Sequence, residues 1–144
     1  NKDLSEFYLS YETIKRSNFR NIKLGSILNL ELPLKYKQPI SGHICQGHVD
    51  NVGKVSLISK IDKSYLFRFS LDKKFRKQLI EKASISINGI SLTISKLTKD
   101  GFEIWVIPHT FKLTNLSTLS KGSIVNIEID ILSKYVRNYF NEKK

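Results

Sequence analysis

The sequence predicts an all-β fold: a small six-stranded, Greek-key-like closed barrel with one short helix, followed by a C-terminal amphipathic helix. Three observations predict it, namely short runs of alternating apolar residues, tight-turn signals between them, and an internal repeat of domain length. The 144 residues suit one domain of ordinary size. Closure into a barrel is favoured because it removes exposed strand edges.

Six segments carry the strand pattern, and turn residues separate them. They are residues 52–61, 65–70, 83–87, 90–97, 102–107 and 123–129. The dipeptide Asn88-Gly89 predicts a tight hairpin between the third and fourth segments, because both residues tolerate positive φ. Residues 71–81 predict a short amphipathic helix with Phe75, Leu79 and Ile80 on its apolar face.

The end of the chain, residues 131–144, predicts an amphipathic helix. Its apolar residues recur at helical spacing and are Ile131, Leu132, Tyr135, Val136, Tyr139 and Phe140. Asp130 stands where an N-cap belongs. Such a helix must dock on its own barrel or on another subunit, and we favour self-association because a closed barrel leaves a terminal helix little to cover.

Two stretches of the chain resemble each other without a gap. Residues 12–32 align with residues 109–129, so that Thr13 matches Thr110 and Asn18 matches Asn115, a constant offset of 97 residues. That period is too long for a solenoid repeat and fits a small domain. We therefore expect residues 1–38 to be the C-terminal remnant of a first barrel and residues 39–130 to be a second barrel, in a chain truncated at its N-terminus.

Composition narrows the classes of function. The net charge of +11 invites a nucleic-acid hypothesis, but the lysines are scattered, which favours a solvated surface. No apolar run reaches the roughly 18 residues of a membrane span, and no secretory signal is visible. The single cysteine excludes an internal disulfide and fits a reducing cytoplasm.

The stretch GHICQGHVD, residues 42–50, gathers His43, Cys45, His48 and Asp50. A zinc site could be drawn from these four side chains, but their spacing matches no standard zinc pattern, so we expect no metal. On a strand, His43 and Cys45 would share one face by alternation. We expect Cys45 to pack in the barrel, and His48 and Asp50 to be structural.

Four motifs together carry a resemblance to a known family. SGHICQGHVD, KASISINGISLTIS, VIPHTFKLTNL and GSIVNIEID followed by KYV resemble the riboflavin synthases of the α-chain type, in order and spacing. The resemblance covers nearly the whole chain. It implies tandem barrels with a C-terminal helix, which agrees with the repeat.

The resemblance also implies an activity. Two molecules of 6,7-dimethyl-8-ribityllumazine would undergo dismutation by four-carbon transfer, giving riboflavin and 5-amino-6-(D-ribitylamino)uracil. It implies no metal or other cofactor, a homotrimer held by the C-terminal helix, a possible association with lumazine synthase, and active sites between barrels of neighbouring subunits. We expect no nucleic-acid or membrane partner, and we expect the truncated chain to bind ligand without turning it over.

By resemblance, the catalytic candidates are His43, Ser91, Thr93 and Asp130. The substrate-binding candidates of the second barrel are Gly42, His43, Ile44, Lys82, Ser91, Leu92, Thr93, Val106, Ile107, Pro108, His109, Thr110 and Phe111. Those of the first barrel survive as Tyr8, Leu9, Ser10, Tyr11, Glu12 and Thr13. The first barrel's counterpart of the motif Ser91-Leu92-Thr93 is absent from the given sequence.

The chemistry of these residue types fits the implied reaction. Ser91 and Thr93 lie two apart in a strand, so both hydroxyls face one way and can hydrogen-bond a flat heterocycle. His43 suits removal of a proton from an acidified ring methyl, together with Thr93. Lys82 is as readily a solvated lysine as a ligand contact. Asp130 can contact the ligand, cap the terminal helix, or do both.

Two rival hypotheses stay open. The first is a relative that holds a lumazine or flavin without catalysis. The second is a basic barrel that binds single-stranded nucleic acid, which predicts aromatic side chains on an open sheet face. Tyr65, Phe67 and Phe69 alternate on one face, although a barrel core explains them more simply.

Overall fold

In the computed structural model, which describes residues 4–33, 35–40 and 42–141, six strands close into one antiparallel barrel in the order β1-β2-β5-β4-β3-β6. The strands are β1 (Asn51–Ile61), β2 (Ser64–Ser70), β3 (Ser84–Ile87), β4 (Ile90–Leu97), β5 (Gly101–Val106) and β6 (Ile124–Ile129). The helices are α1 (Tyr11–Arg16), α2 (Lys73–Arg76), α3 (Pro108–Leu113) and α4 (Ile131–Asn141). The predicted six-stranded closed barrel is confirmed.

Alternation along the strands builds the barrel core. Phe67 and Phe69 of β2 are fully buried, whereas Arg68 between them faces outward and pairs with Glu103 of β5. Tyr65 is partly buried and packs against the same core. These aromatic side chains therefore do not form the open surface that the nucleic-acid hypothesis needs.

The hairpin between β3 and β4 forms where the sequence predicts it. Asn88 and Gly89 have φ of +50° and +83°, the left-handed conformation that a tight two-residue turn requires. The Asn88 side chain also accepts a hydrogen bond from the backbone N–H of Asn126 at 2.8 Å. This contact ties the hairpin to β6.

The helix predicted over residues 71–81 was wrong in extent, since only α2 is helical. After α2 the backbone tightens into turns: the N–H of Gln78 donates to the carbonyl of Phe75, and that of Leu79 to the carbonyl of Arg76. This tightening brings Leu79 into the core and leaves Ile80 57% exposed, so Ile80 does not belong to the predicted apolar face.

Residues 42–50 do not form a strand, which corrects the strand-face prediction for His43 and Cys45. They run instead as an irregular, largely extended segment, which we call the strap. The strap leads into β1, and its last residue, Asp50, donates its N–H to the carbonyl of Ile127 in β6. The strap is therefore held against the outside of the barrel.

The repeat in the sequence has a counterpart in local structure. α1 and α3 are separated by the same 97-residue offset as Thr13 and Thr110, and each is followed by a 3₁₀ turn, Asn18–Asn21 and Asn115–Thr118. Ser17 and Thr114 precede these turns and cap them through their side-chain oxygens. The predicted C-terminal helix is α4, and residues 142–144 of that prediction lie outside the described residues.

Among the residues that the structure describes, no helix has the length and apolar character needed to cross a bilayer.

Candidate functional site

The outer face of β4, β3 and β6 carries two rows of polar side chains. Ser91 lies opposite Ser86, and Ser86 lies opposite Glu128. Thr93 lies opposite Ser84 in the next row. Cross-strand partners share a face, and the alternating isoleucines of these strands fill the core, so the polar rows point out of the barrel.

The strap crosses this outer face and brings distant residues together. Nδ1 of His43 lies 2.8 Å from Oγ of Ser91, within hydrogen-bonding distance, and the tautomer decides which atom donates. Both residues are partly buried, and Thr93 beside them is exposed. Three predicted catalytic residues thus meet on one surface, and their hydroxyl and imidazole groups can accept and donate protons.

Gly42 allows the strap to approach the sheet this closely. Its φ is +89°, and a Cβ built there would lie 2.5 Å from Oγ and 2.8 Å from Cβ of Ser91. Both the backbone conformation and the space therefore demand glycine. Gly42 is thus a predicted site residue whose role is steric.

The expectation that Cys45 packs in the barrel was wrong: its side chain lies on the strap against the outer face of the sheet, near Ser86. Its Sγ is 3.6 Å from Nε2 of His43. Burial raises the pKa of the Cys45 thiol, although a hydrogen bond with Ser86 opposes the effect. A thiol held protonated is a poor nucleophile and a poor metal ligand.

Asp50 and His48, the other two residues of the zinc site considered from the sequence, do not point toward His43 and Cys45. Oδ2 of Asp50 accepts a hydrogen bond from the N–H of Ile129 at 2.8 Å and lies 2.7 Å from Nζ of Lys134. The His48 side chain is exposed on the strap. Within residues 4–33, 35–40 and 42–141, no three His, Cys, Asp or Glu side chains gather in an arrangement that could hold a metal ion.

Asp130 follows directly after β6 on the outward-facing side. Its Oδ1 accepts a hydrogen bond from the N–H of Leu132 at 2.9 Å, so it caps α4 as one of its two predicted roles requires. The pairing of Ile85 with Ile129 places Asp130 beside Ser84 and the row of Thr93. The cap uses Oδ1, and the second predicted role of Asp130, a ligand contact, stays a prediction.

The predicted contacts around α3 lie at the end of β5. β4 and β5 are antiparallel through the pair Ile94 and Ile104, so the chain leaves β5 toward the part of β4 that carries Ser91. Val106 is 1% exposed and turns its side chain into the core, which leaves only its backbone for a ligand. Phe111 stacks on Tyr65, with ring centroids 3.7 Å apart. Exposed side chains in this region are Ile107, Pro108 and His109, and Thr110 is partly buried.

The remaining second-barrel candidates divide by orientation. Lys82 has φ of +67° and its side chain is exposed, while its N–H donates to the carbonyl of Ile94. Ile44 is 53% exposed on the strap. Leu92 points away from its neighbours Ser91 and Thr93 and packs against the core.

The first-barrel candidates form a separate group around α1. Ser10 caps α1 by accepting a hydrogen bond from the N–H of Thr13 at 3.1 Å. Glu12 pairs with Arg16, and this hydrogen bond lowers the pKa of Glu12. Tyr8, Leu9 and Tyr11 are exposed. Among the residues that the structure describes, the hydrogen bonds of this group stay within residues 10–17, and none joins it to the strap.

An open groove of about 1280 Å³ separates the N-terminal segment from the barrel. Phe7, Leu9 and Leu28 line one side of it, and Ser86 and Glu128 line the other. His43, Ser91 and Thr93 do not line this groove. This groove is therefore distinct from the place where the predicted catalytic residues meet.

Reciprocal asparagine contacts join the N-terminal segment to the barrel. The N–H of Asn18 donates to Oδ1 of Asn126 at 2.7 Å, and the N–H of Asn115 donates to Oδ1 of Asn29 at 2.8 Å. In the repeat, Asn18 is equivalent to Asn115 and Asn29 to Asn126, so each contact is the counterpart of the other. A reciprocal pair of this kind is the signature of a two-fold axis.

The side chains of the same asparagines repeat the exchange. Nδ2 of Asn18 donates to the carbonyl of Ile124 at 3.0 Å, and Nδ2 of Asn115 donates to the carbonyl of Ile27 at 3.2 Å. The N-terminal segment and the barrel are therefore related locally by a pseudo-two-fold axis.

A family model described as the lumazine binding domain matches residues 46–130, which is more than half of the chain. The chain belongs to the lumazine-binding domain family. The match spans β1 to β6, the latter part of the strap and Asp130. Recognition of the family from the four motifs is thereby confirmed.

Curated relatives of this lumazine-binding chain carry the name riboflavin synthase. The protein of Actinobacillus pleuropneumoniae is 39% identical over 92% of this chain and 61% of its own length. That of Mycobacterium bovis is 38% identical over 87% of this chain and 64% of its own length. The chain thus spans about three fifths of the length of these relatives.

Solved structures of the protein LumP share the fold. LumP complexed with riboflavin matches with a TM-score of 0.76 and 26% identity, over 82% of this chain and 64% of LumP. LumP complexed with 6,7-dimethyl-8-(1'-D-ribityl) lumazine matches with a TM-score of 0.73 and 27% identity, over 81% of this chain and 63% of LumP.

Sequence reasoning missed three residues of the lumazine-binding domain's polar face, namely Ser84, Ser86 and Glu128. Alternation with buried isoleucines in β3 and β6 could have placed them on the same side as Ser91 and Thr93. The pairing of β3 with β6, which is not visible in one sequence, was needed to bring Glu128 beside Ser86.

Proposed function

We propose that the protein carrying this chain is a riboflavin synthase, a transferase that dismutates two molecules of 6,7-dimethyl-8-ribityllumazine. One molecule gives four carbons to the other, and the products are riboflavin and 5-amino-6-(D-ribitylamino)uracil. The observation that carries the proposal is the contact between Nδ1 of His43 and Oγ of Ser91 beside the exposed Thr93. It supports a surface that binds a flat heterocycle and moves a proton in the same place.

In this proposal, His43 takes the proton from an acidified ring methyl of the bound lumazine. The contact with Ser91 orients the imidazole ring through Nδ1, and Sγ of Cys45 lies 3.6 Å from Nε2, so the thiol must give way where Nε2 serves the substrate. The hydroxyl of Thr93 lies on the same face and stabilises the carbanion or passes the proton on. Asp130 contributes its second carboxylate oxygen to the ribityl chain or to the proton relay.

Positioning supplies much of the proposed rate. Two copies of one molecule must stack in opposite orientations, and holding them so removes a large entropic barrier. The exposed side chains around α3, together with Ile44 and Lys82, bind the ligand that faces Ser91 and Thr93. The residues around α1, from Tyr8 to Thr13, bind the second ligand in the equivalent site of a first barrel.

We propose further that residues 1–38 belong to that first barrel. The reciprocal contacts of Asn18 with Asn126 and of Asn115 with Asn29 support this, because they join equivalent positions of the repeat. The exposed apolar side chains of Leu24, Ile27, Leu30 and Leu32 support it as well. The rest of the first barrel would cover them and fill the groove.

The assembly is proposed as a homotrimer built through α4, which presents Leu132, Tyr135 and Val136 to the surface. Each active site would then lie between the second barrel of one subunit and the first barrel of another. Association with lumazine synthase would deliver the substrate directly. We place the reaction in the cytoplasm, on the ground that the chain contains one cysteine.

A second candidate function is a carrier that holds a lumazine or a flavin without converting it. The likeness to LumP, whose solved structures contain ribityllumazine, riboflavin or flavin mononucleotide, favours it. The two candidates share the binding face and differ only in turnover.

The deciding experiment mixes the full-length protein with 6,7-dimethyl-8-ribityllumazine and follows riboflavin fluorescence. Riboflavin formation supports the synthase. Tight binding without product supports the carrier, and failure to bind any pteridine contradicts both. In parallel, the 144-residue chain alone is expected to bind riboflavin without forming product.

Replacing His43 separates catalysis from binding. The His43→Ala variant of the full-length protein is expected to lose about 100-fold or more in kcat, the usual contribution of a general base. Its Kd for riboflavin, measured by fluorescence titration, should change less than about threefold, because the hydroxyls and α3 remain. Equal losses in kcat and Kd would count against His43 as the base.

A further inference from the structure

Glu128 is a carboxylate buried beneath the strap. Its side chain lies on the outward face of β6 at the border of the groove, yet the residue is only 6% exposed, and both carboxylate oxygens meet the strap. Oε1 accepts a hydrogen bond from the N–H of Gln46 at 2.8 Å, and Oε2 accepts one from the N–H of Gly47 at 3.1 Å. Hydrogen bonds to a charged acceptor are about twice as strong as neutral ones.

The backbone of the strap is shaped for this contact. Gly47 has φ of +74°, a left-handed conformation that turns two successive N–H groups toward one anion. The distant end of the strap is fixed independently by Asp50, whose N–H donates to the carbonyl of Ile127. The near end touches the sheet through His43 and Ser91. Glu128 therefore fixes the strap in the middle, three residues from His43.

We propose that Glu128 is a positioning residue, which clamps the backbone of Gln46 and Gly47 and so sets the place of His43 over Ser91. The catalytic part of this inference rests on the proposed function, whereas the clamp itself does not. Both carboxylate oxygens of Glu128 are bonded to the strap, so we infer that it acts through His43.

The only cysteine of the 144-residue chain reports on the clamp. Cys45 precedes the clamped pair and is partly buried between the strap and the sheet. In Glu128→Gln, an amide N–H₂ replaces one of the two acceptors and faces a backbone N–H, so the strap should open more often. We expect alkylation of Cys45, followed by peptide mass spectrometry, to quicken about tenfold, the factor that corresponds to one lost hydrogen bond.

The matched control is Glu103→Gln, which neutralises a carboxylate that is also largely buried but pairs with Arg68 on another side of the barrel. Its Cys45 reactivity should equal that of the parent, although it loses an ion pair. Equal reactivity of Glu128→Gln and the parent would overturn the clamp, as would rapid hydrogen exchange of the Gln46 and Gly47 amides in the parent. Hydrogen exchange of these two amides is measured on the parent protein, so it tests the clamp even if Glu128→Gln does not fold.

Kinetics of the full-length protein test the link to His43. Glu128→Gln should lower kcat while the Kd for riboflavin changes less than about threefold, and the double variant with His43→Ala should be no slower than His43→Ala alone. Additive losses would overturn a positioning role that acts through His43. If Cys45 reacts faster in Glu128→Gln than in the parent but the full-length protein makes no riboflavin, the clamp is supported and the proposed function is contradicted.

Discussion

At the scale of single residues, Gly42 sets how closely the strap approaches the sheet. An added methyl group would meet both Oγ and Cβ of Ser91, and Cβ cannot move without the backbone of β4. The His43–Ser91 contact therefore depends on the absence of a side chain next to it.

The pair Gly42→Ala and Gly25→Ala isolates this effect. Both glycines have similar positive φ, +89° and +84°, but a Cβ at Gly25 meets nothing within 4 Å. Both variants should lose about 1 kcal/mol from the left-handed backbone. Only Gly42→Ala should also weaken riboflavin binding, measured by fluorescence titration, because the strap must lift from Ser91. Equal affinities in the two variants would contradict a steric role.

Cys45 predicts a dependence of stability on pH. Its folded-state pKa is raised by burial, so the thiol contributes stability that is fully present below its unfolded pKa and is lost as pH rises toward the folded value. The difference in unfolding free energy between the parent and Cys45→Ala, from urea titrations, should therefore shrink as pH rises through and above the ordinary thiol range. A difference that is constant with pH would show that the thiol is not desolvated.

At the scale of residues, the two-residue periodicity of a strand predicts which side chains face outward and which face the core. Alternation along β4 correctly separated the outward Ser91 and Thr93 from the inward Leu92. It could not bring His43 to Ser91, because they are 48 residues apart and no local rule fixes the path of an irregular strap. Glu128 was not predicted because a glutamate in a strand ordinarily faces solvent, and its hydrogen bonds to the strap join residues more than 80 positions apart.

At the scale of elements, local chemistry predicted some boundaries and tertiary packing decided others. The turn at Asn88-Gly89 was predictable because its two residues tolerate the required φ on their own. The shortening of the predicted helix to α2 was not, because Leu79 reaches the core only after the backbone tightens beyond Arg76. Helical periodicity describes the apolar face and carries no information on where packing ends it.

The reciprocal asparagine contacts make Asn115 important for the N-terminal segment. Asn115 is 8% exposed, and its Oδ1 accepts a hydrogen bond from Asn29 at 2.9 Å. Asn115→Ala removes two part-buried hydrogen bonds, one from Nδ2 of Asn29 and one to the carbonyl of Ile27, which together should cost about 1–3 kcal/mol. We expect faster limited proteolysis between residues 11 and 32. The control variant Ser117→Ala, which removes an exposed hydrogen bond to Thr114, should be cleaved at the rate of the parent protein. Equal cleavage rates of Asn115→Ala and Ser117→Ala would contradict the prediction.

At the scale of the whole molecule, α4 leaves apolar side chains on the surface. Leu132 and Val136 are 65% and 57% exposed and lie one turn apart. In the full-length protein, Leu132→Asp combined with Val136→Asp should convert the proposed homotrimer into monomers, measured by light scattering after size-exclusion chromatography. Leu132→Ile with Val136→Ile preserves the apolar surface and should leave the mass unchanged. A trimer that survives both aspartates would place the interface elsewhere.

β6 ends at Ile129 and α4 begins at Ile131, so Asp130 is the whole connection between barrel and helix. A salt bridge between Lys134 and Asp50 also joins the first turn of α4 to the strap. There is no flexible hinge here to absorb rotation. Any assembly built through α4 must therefore fix the angle at which each barrel presents Ser91 and Thr93 to the neighbouring subunit. A single residue inserted after Asp130 would rotate α4 relative to the barrel by about 100° and turn that surface away.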